Sequence, residues 1–262
     1  MKVVTVESTH RTSRYIASML GGPTSRVPRR RAISRFVIMF PGRVGSTYLV
    51  SALAQHPDVA VDGERLSGIR PRGSVAQLEW AASHLQGPRF GRPRARGFKT
   101  KLRDVLDPDG FAELIARLDA RVVLMTRSND VKHAVSRVTA KELHEATGRW
   151  NRYAETDPVV APVEVDVARF QRLLERVVAD KDEIAAYVTA LDRPTMEVEY
   201  ERLLADPGTV FDEVQRFIGV APRPLAGTTR KNTSDDLRDA VANFDELRAA
   251  VDSAELRSMF DA

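Results

Sequence analysis

The sequence predicts an α/β fold of three layers, a central parallel sheet flanked by helices, and three observations predict it. Apolar runs at Phe36–Phe40 and Val122–Met125 are short and unbroken, as in strands buried on both faces. Segments of helical periodicity alternate with such runs along the chain, which points to parallel strands joined by helices. The first run enters its helix through Pro41-Gly-Arg-Val-Gly-Ser-Thr47, a turn with the residue types of a phosphate-binding loop.

Taken in order, residues 1–35 read as a poorly defined N-terminal arm. Its 21–25 segment is loop-like. Its Arg-rich end, with Arg29, Arg30 and Arg31 consecutive, reads as a solvated arm, a contact with an anionic ligand being the alternative. The folded domain is expected over 36–262. After the first turn, Leu49, Ala52 and Leu53 mark a helix closed by His56-Pro57. Phe111, Leu114, Ile115 and Leu118 mark another, before a second strand over 121–126. A helix follows over 130–145, with Val131, Ala134, Val135 and Val138 on one side. The long helix expected over 166–191 is carried by Phe170, Leu174, Val177, Ile184 and Val188. A third strand is expected over 195–200. A helix through Val210, Val214, Phe217 and Ile218 ends at Gly219, and the region from 235 to about 260 reads as helical.

Composition sets limits. A chain of 262 residues, 43% hydrophobic and 29% charged, is ordinary for a soluble globular protein. Its net charge of +4 suits anionic ligands, nucleotides and nucleic acids among them. With no cysteine, disulfides, thiolate metal sites and a cysteine nucleophile are excluded. No apolar run approaches the roughly 20 residues that cross a bilayer. Glu7, His10, Arg11 and Arg14 interrupt any signal-peptide core. The expectation is a cytoplasmic protein that is not transmembrane.

Gly42 and Gly45 stand where backbone must bend or approach a ligand closely. Ser46 and Thr47 open a helix whose unpaired N–H groups and positive dipole end attract an anion. The triphosphate-binding loop reads G-x-x-x-x-G-K-[ST]. Here Gly45 directly precedes Ser46, and the loop's cation is Arg43. A strand–turn–helix without a ligand would use the same residue types, so the loop by itself leaves both readings open. Arg127, just past the second strand, would share its sheet edge, where such sheets bind ligands. Arginine suits a two-pronged hold on phosphate, and Ser136 in the next helix would add a hydroxyl. A surface ion pair for Arg127 and a solvated Ser136 are the alternatives.

Together these segments resemble the sulfotransferases that use 3′-phosphoadenosine-5′-phosphosulfate (PAPS), in their bacterial trehalose- and nodulation-type branch, which acts on carbohydrates. Residues 41–47, with Leu49 and His56-Pro57-Asp58-Val59, resemble the family's 5′-phosphosulfate loop. Val123-Leu-Met-Thr-Arg127 through Ala134-Val-Ser136 resembles its 3′-phosphate segment. Thr147-Gly-Arg-Trp150 is similar to a turn of the bacterial branch. Val198-Glu-Tyr-Glu201 with Leu203-Leu204, and Phe217-Ile-Gly-Val220, resemble a later strand and helix. The resemblance runs from Phe36 to Leu247, is weak between Ser67 and Arg96, and is absent before Arg35.

The resemblance implies a P-loop-like fold and metal-independent, in-line transfer of a sulfuryl group from PAPS to a hydroxyl, on a carbohydrate or glycolipid. It implies that Arg43, Val44, Gly45, Ser46 and Thr47 hold the 5′ side of the donor. Arg127 and Ser136 would hold the 3′-phosphate, with Arg230 and Lys231 closing over it. Arg43 would stand beside the bridging oxygen, and Lys99, in Gly97-Phe98-Lys99, would hold the sulfuryl group or the acceptor. Glu64, in Asp62-Gly63-Glu64, would be the general base, with Asp62 its neighbour and His56 and His133 the other candidates.

Each role has a plainer alternative. Glu64 could pair with Arg65. Lys99 could be one more cation of a basic stretch with Arg92, Arg94, Arg96, Lys101 and Arg103. His56 reads as a helix end, His133 as a helix-face residue and Trp150 as a packing residue. The chain also departs from the family, with Arg127-Ser128 where the bacterial branch often has two arginines, so Ser128 shares the 3′-phosphate assignment. The divergent 67–96 stretch leaves the acceptor unread. No nucleic-acid partner is expected, and a homodimer is left open. The rival readings are a P-loop kinase using magnesium and ATP, and a non-catalytic protein that binds nucleotide or nucleic acid.

Overall fold

The computed structural model describes residues 33–261 apart from 88–92, 158, 233 and 235. Apart from 33–35, the expected N-terminal arm lies outside the described residues, as does Arg92. In chain order the elements are β1 (Ser34–Met39), α1 (Ser46–Leu53), β2 (Val59–Asp62), α2 (Arg65–Ile69), α3 (Ser74–Gln86) and β3 (Ala95–Thr100). Next come α4 (Pro108–Arg117), β4 (Arg121–Thr126), α5 (Asp130–Thr147), α6 (Val167–Ala190) and β5 (Thr195–Glu199). After these follow α7 (Tyr200–Ala205), α8 (Pro207–Phe217), α9 (Leu237–Ala240), α10 (Phe244–Ala249) and α11 (Ala254–Ser258).

The five strands pair in parallel, in the order β2-β3-β1-β4-β5. β1 is central, and its apolar run is needed on both faces. Phe36 and Ile38 pack with Leu49 and Leu53 of α1 and Val210, Phe211 and Val214 of α8. Val37 and Met39 pack with Leu85 of α3, Phe111 and Ile115 of α4 and Ile184 of α6. Successive side chains of a strand point to opposite faces, so one unbroken run supplies two cores and three layers result. A third core joins α5 and α6 to the C-terminal helices through Val131, Val138, Phe170, Phe244 and Phe260.

Every expected strand and helix up to Gly219 forms, with ends shifted by a few residues. Tyr200, expected to end the third strand, instead begins α7. The C-terminal region is not a continuous helix but three short ones. Val241 between them is extended, bridges to Val163 and is buried, as is Val251; seating these side chains in the core breaks the helical path.

β2, β3, α2 and α3 carry no such sequence signal. β3 reads Ala-Arg-Gly-Phe-Lys-Thr, yet it lies between β1 and β2. Its charges are met by tertiary partners. Arg96 Nε donates to the His84 carbonyl at 2.6 Å, and Lys99 donates to Thr47 at the start of α1. Gly97 lies directly beside Phe36, whose carbonyl oxygen would be 2.5 Å from any added Cβ. Gly97→Ala is therefore expected to lower unfolding stability by about 1–3 kcal/mol, the usual cost of overpacking, measured by urea denaturation against the parent chain.

Candidate active site

The β1–α1 turn has an unusual backbone. Gly42, Arg43 and Gly45 all have positive φ, at 100°, 55° and 74°. For Arg43 this conformation costs about 1–2 kcal/mol, and it persists only where surroundings over-determine it. The surroundings do so. His133 is buried beneath the turn, with Nε2 at 2.6 Å from the Gly42 carbonyl oxygen. Burial first, then the charges of Arg137 and Arg127, hold the His133 ring well below the usual histidine range. The imidazole is thus neutral and donates through Nε2–H. Arg137 donates to the Pro41 carbonyl at 3.1 Å and pairs with Asp180 at 2.8 Å. His133 is therefore a prop beneath the loop rather than a face residue.

α1 begins at Ser46 with Gly45 as its N-cap and no side-chain cap, whereas Asn129 caps α5 and Asp107 caps α4. Its first-turn N–H groups are left for an anion. Lys99, 5% exposed, donates to Thr47 Oγ1 at 2.8 Å and Ser46 Oγ at 3.3 Å. A lysine thus stands at this helix start as in the triphosphate loops, but β3 supplies it.

Glu64 bridges Lys99, at 3.2 Å, and Lys101. Both ammonium groups lie over the Phe40 ring. Burial pushes the Glu64 carboxyl up, but the two lysines outweigh this and hold it below the usual carboxylate range. Burial lowers Lys99, and Glu64 partly restores it. The expected alternative pairing with Arg65 does not form, because Arg65 pairs with Asp62 at 3.4 Å. His56 is buried, with Nε2 on the Ala221 carbonyl at 2.9 Å and Nδ1 accepting the Asp58 N–H at 3.0 Å. Both nitrogens are engaged, which leaves it structural.

Across the cleft, Arg127 is 8% exposed and stacks over the Tyr200 ring at 4.5 Å. It donates to the Arg43 carbonyl at 3.3 Å and lies 3.7 Å from Glu201. Ser128 is exposed, and its N–H donates to Glu201. Arg43 reaches toward the same side. Its Nε is 3.4 Å from Ser136 Oγ, and its Nη1 donates to the Trp150 carbonyl at 3.1 Å and Asn151 Oδ1 at 2.9 Å. Burial lowers Arg43 to about 10, so it stays charged at neutral pH.

A cleft of about 630 Å³ runs between these groups, lined by Arg43, Ser46, Thr47, Glu64, Arg127 and Ser136 among others. Arg230 and Lys231 line its outer edge. Their segment pairs with the 150–152 turn through Arg230 N–H to the Arg152 carbonyl at 2.9 Å and Asn232 to the Trp150 carbonyl at 3.1 Å. Trp150 is not a packing residue: it is 51% exposed, stacks on His144 and faces the cleft. Val44 is fully buried and faces the core, so only its backbone is available to a ligand. Lys101 carried no sequence signal of its own beyond its basic stretch. Asn151 and Asn232 lie far from the loop in sequence and carried none.

No protein-family model matches the chain. Nodulation protein H of Rhizobium meliloti strain 1021 is 29% identical over 231 residues, covering 81% of this chain and 89% of that protein. Nodulation protein H of Rhizobium tropici is 25% identical over 226 residues, covering 81% and 87%. The chain is thus similar to nodulation-type proteins of bacteria over most of its length. A crystal structure of a sulfotransferase from Alicyclobacillus acidocaldarius is similar at a TM-score of 0.49 and 19% identity, covering 88% of this chain and 96% of that one. The sulfotransferase domain from the curacin biosynthetic pathway is similar at 0.44 and 12%, covering 74% and 76%.

Among the described residues of this chain, no helix is long and apolar enough to cross a membrane, and no three His, Asp or Glu side chains group to hold a metal ion. Its loop tolerates little change. A Cβ at Gly45 would meet the Tyr200 ring at 2.9 Å, on a backbone already at positive φ. Gly45→Ala is expected to cost about 1–2 kcal/mol from the left-handed conformation alone, read as a fall in thermal midpoint.

Proposed function

We propose that the domain over 36–262 transfers a sulfuryl group from PAPS to an acceptor hydroxyl, on the resemblance a carbohydrate or glycolipid. The observation that carries this reading is the pairing of two anion sites across one cleft. One is the uncapped start of α1 with Lys99 at its hydroxyls. The other is Arg127 with Ser136, joined to the first through Arg43. A donor with a phosphosulfate at one end and a 3′-phosphate at the other fits that arrangement.

In this reading the N–H groups from Gly45 onward, with Ser46 and Thr47, hold the 5′-phosphate. Arg127 and Ser136 hold the 3′-phosphate, and Arg230 and Lys231 cover it from the cleft's outer edge. The bound donor supplies an activated sulfuryl group whose bridging oxygen takes up charge on transfer. Lys99 meets that charge from the floor of the site. Arg43, committed to Ser136 and the 150–151 turn, spans the two anion sites. Catalysis of this kind is mostly positioning and electrostatics. Glu64 takes the acceptor's proton, and its pairing with two lysines keeps it ionised at neutral pH.

Two measurements test this. A ligand at about 100 times its Kd stabilises by about 2.7 kcal/mol, so 3′,5′-ADP is expected to raise the thermal midpoint by several degrees. Neither 5′-ADP nor magnesium-ATP should match it, and Arg127→Ala should lose most of the rise. A rise with magnesium-ATP alone would favour a kinase instead. The second measurement is a pH profile of kcat/KM. Lys101 helps to hold the Glu64 carboxyl low, so Lys101→Met raises it, and the acidic limb of the profile moves to higher pH. In Glu64→Gln that limb disappears with most of the rate. An unmoved limb in Lys101→Met would remove Glu64 from the role of base.

A further inference from the structure

The cleft holds more positive charge than the donor needs. Nine lysine and arginine side chains line it, against one carboxylate, Glu64. In the proposed reading Arg43, Arg127, Arg230 and Lys231 serve the donor, and Lys132 lies one helical turn before Ser136, on the donor's side. Lys101 is neutralised by Glu64. Arg137 is tied to Asp180 and the Pro41 carbonyl, and Lys141 to Glu145 at 3.3 Å.

Arg103 differs from these. It lines the cleft and is exposed. Its backbone carbonyl is held by Arg70 at 2.6 Å, yet its guanidinium makes no hydrogen bond or ion pair among the described residues. Asp104 beside it turns away, to Lys101 at 3.6 Å. Arg103 also acts on Arg137: after burial, its like charge is among the causes that lower the Arg137 guanidinium. Asp180 answers the Arg137 charge, whereas Arg103 has no acid paired with it among the described residues, and an incoming anion would supply one. Lys101, two residues earlier, holds Glu64, so Arg103 stands on the base's side of the cleft, where an acceptor must approach.

We propose that Arg103 recognises an oxyanion on the acceptor, a carboxylate or phosphate ester carried near the hydroxyl that receives the sulfuryl group. The inference rests on the sulfotransferase reading above. It makes the acceptor an acidic sugar or glycolipid rather than a neutral one.

The test is calorimetric titration of the protein saturated with 3′,5′-ADP, so that the donor's phosphate sites are filled. Glucose 6-phosphate, glucuronate and glucose are compared in the parent, Arg103→Ala and Arg103→Glu chains. The acidic sugars are expected to bind at least about tenfold more tightly than glucose, as one charge-assisted contact allows. That preference should largely vanish in Arg103→Ala and Arg103→Glu, while the thermal shift with 3′,5′-ADP is unchanged in both. Equal binding of the three sugars, no binding of any, or an acidic preference that survives both substitutions would overturn the proposal. Loss of the 3′,5′-ADP shift in the parent chain is a separate readout, and it would overturn the donor reading together with this one.

Discussion

A buried ammonium is costly unless it is paired and hydrogen-bonded, and Lys99 meets that requirement in a way that organises the site. Its donors go to Ser46 and Thr47 at the start of α1 and to Glu64 beyond β2. One side chain therefore ties the uncapped start of α1 to the proposed base. It can do so because β3 lies beside β1, with Lys99 level with Ile38 near the strand's carboxyl end. Glu64 in turn is held ionised by the same lysine and by Lys101. Each charge in the group is tolerable only because the others are present, and breaking one partner of such a buried set leaves an uncompensated charge.

The strain in the loop has a similar logic. Three residues within four positions have positive φ, a conformation that costs Arg43 energy. Such a backbone would relax if it stood alone. His133 and Arg137, one turn apart on α5, hold the carbonyls of Gly42 and Pro41 from below. Arg43 is held from above by Trp150 and Asn151. The loop is therefore braced before any ligand arrives, and a braced loop need not lose conformational entropy again on binding.

The cleft's outer wall is made of two segments distant in sequence that hold each other. The turn after α5 and the 230–232 segment share backbone and side-chain hydrogen bonds through Arg152, Trp150 and Asn232. Arg43 joins the same cluster. Loop, Ser136 and outer wall thus meet through one guanidinium, and a change at the wall reaches the loop by direct contact.

Local physics decided much of this protein before any folding. The apolar runs of β1 and β4 exceed what a one-sided strand needs, so two helical layers and a parallel sheet followed from them. Gly42, Gly45 and the Ser46-Thr47 helix start specified a turn that leaves N–H groups free, and Arg127 followed from its place at a strand's end. The tertiary structure decided what no local pattern encodes. β2 and β3 are short or charged, so their place in the sheet depends on partners far along the chain. The reach of Lys99 to α1, the choice of Lys101 over Arg65 as a partner for Glu64 and the burial of His133 beneath the loop also follow from strand order and helix docking. Charged and polar side chains are promiscuous in sequence, and only the burial of their surroundings selects which pairs form.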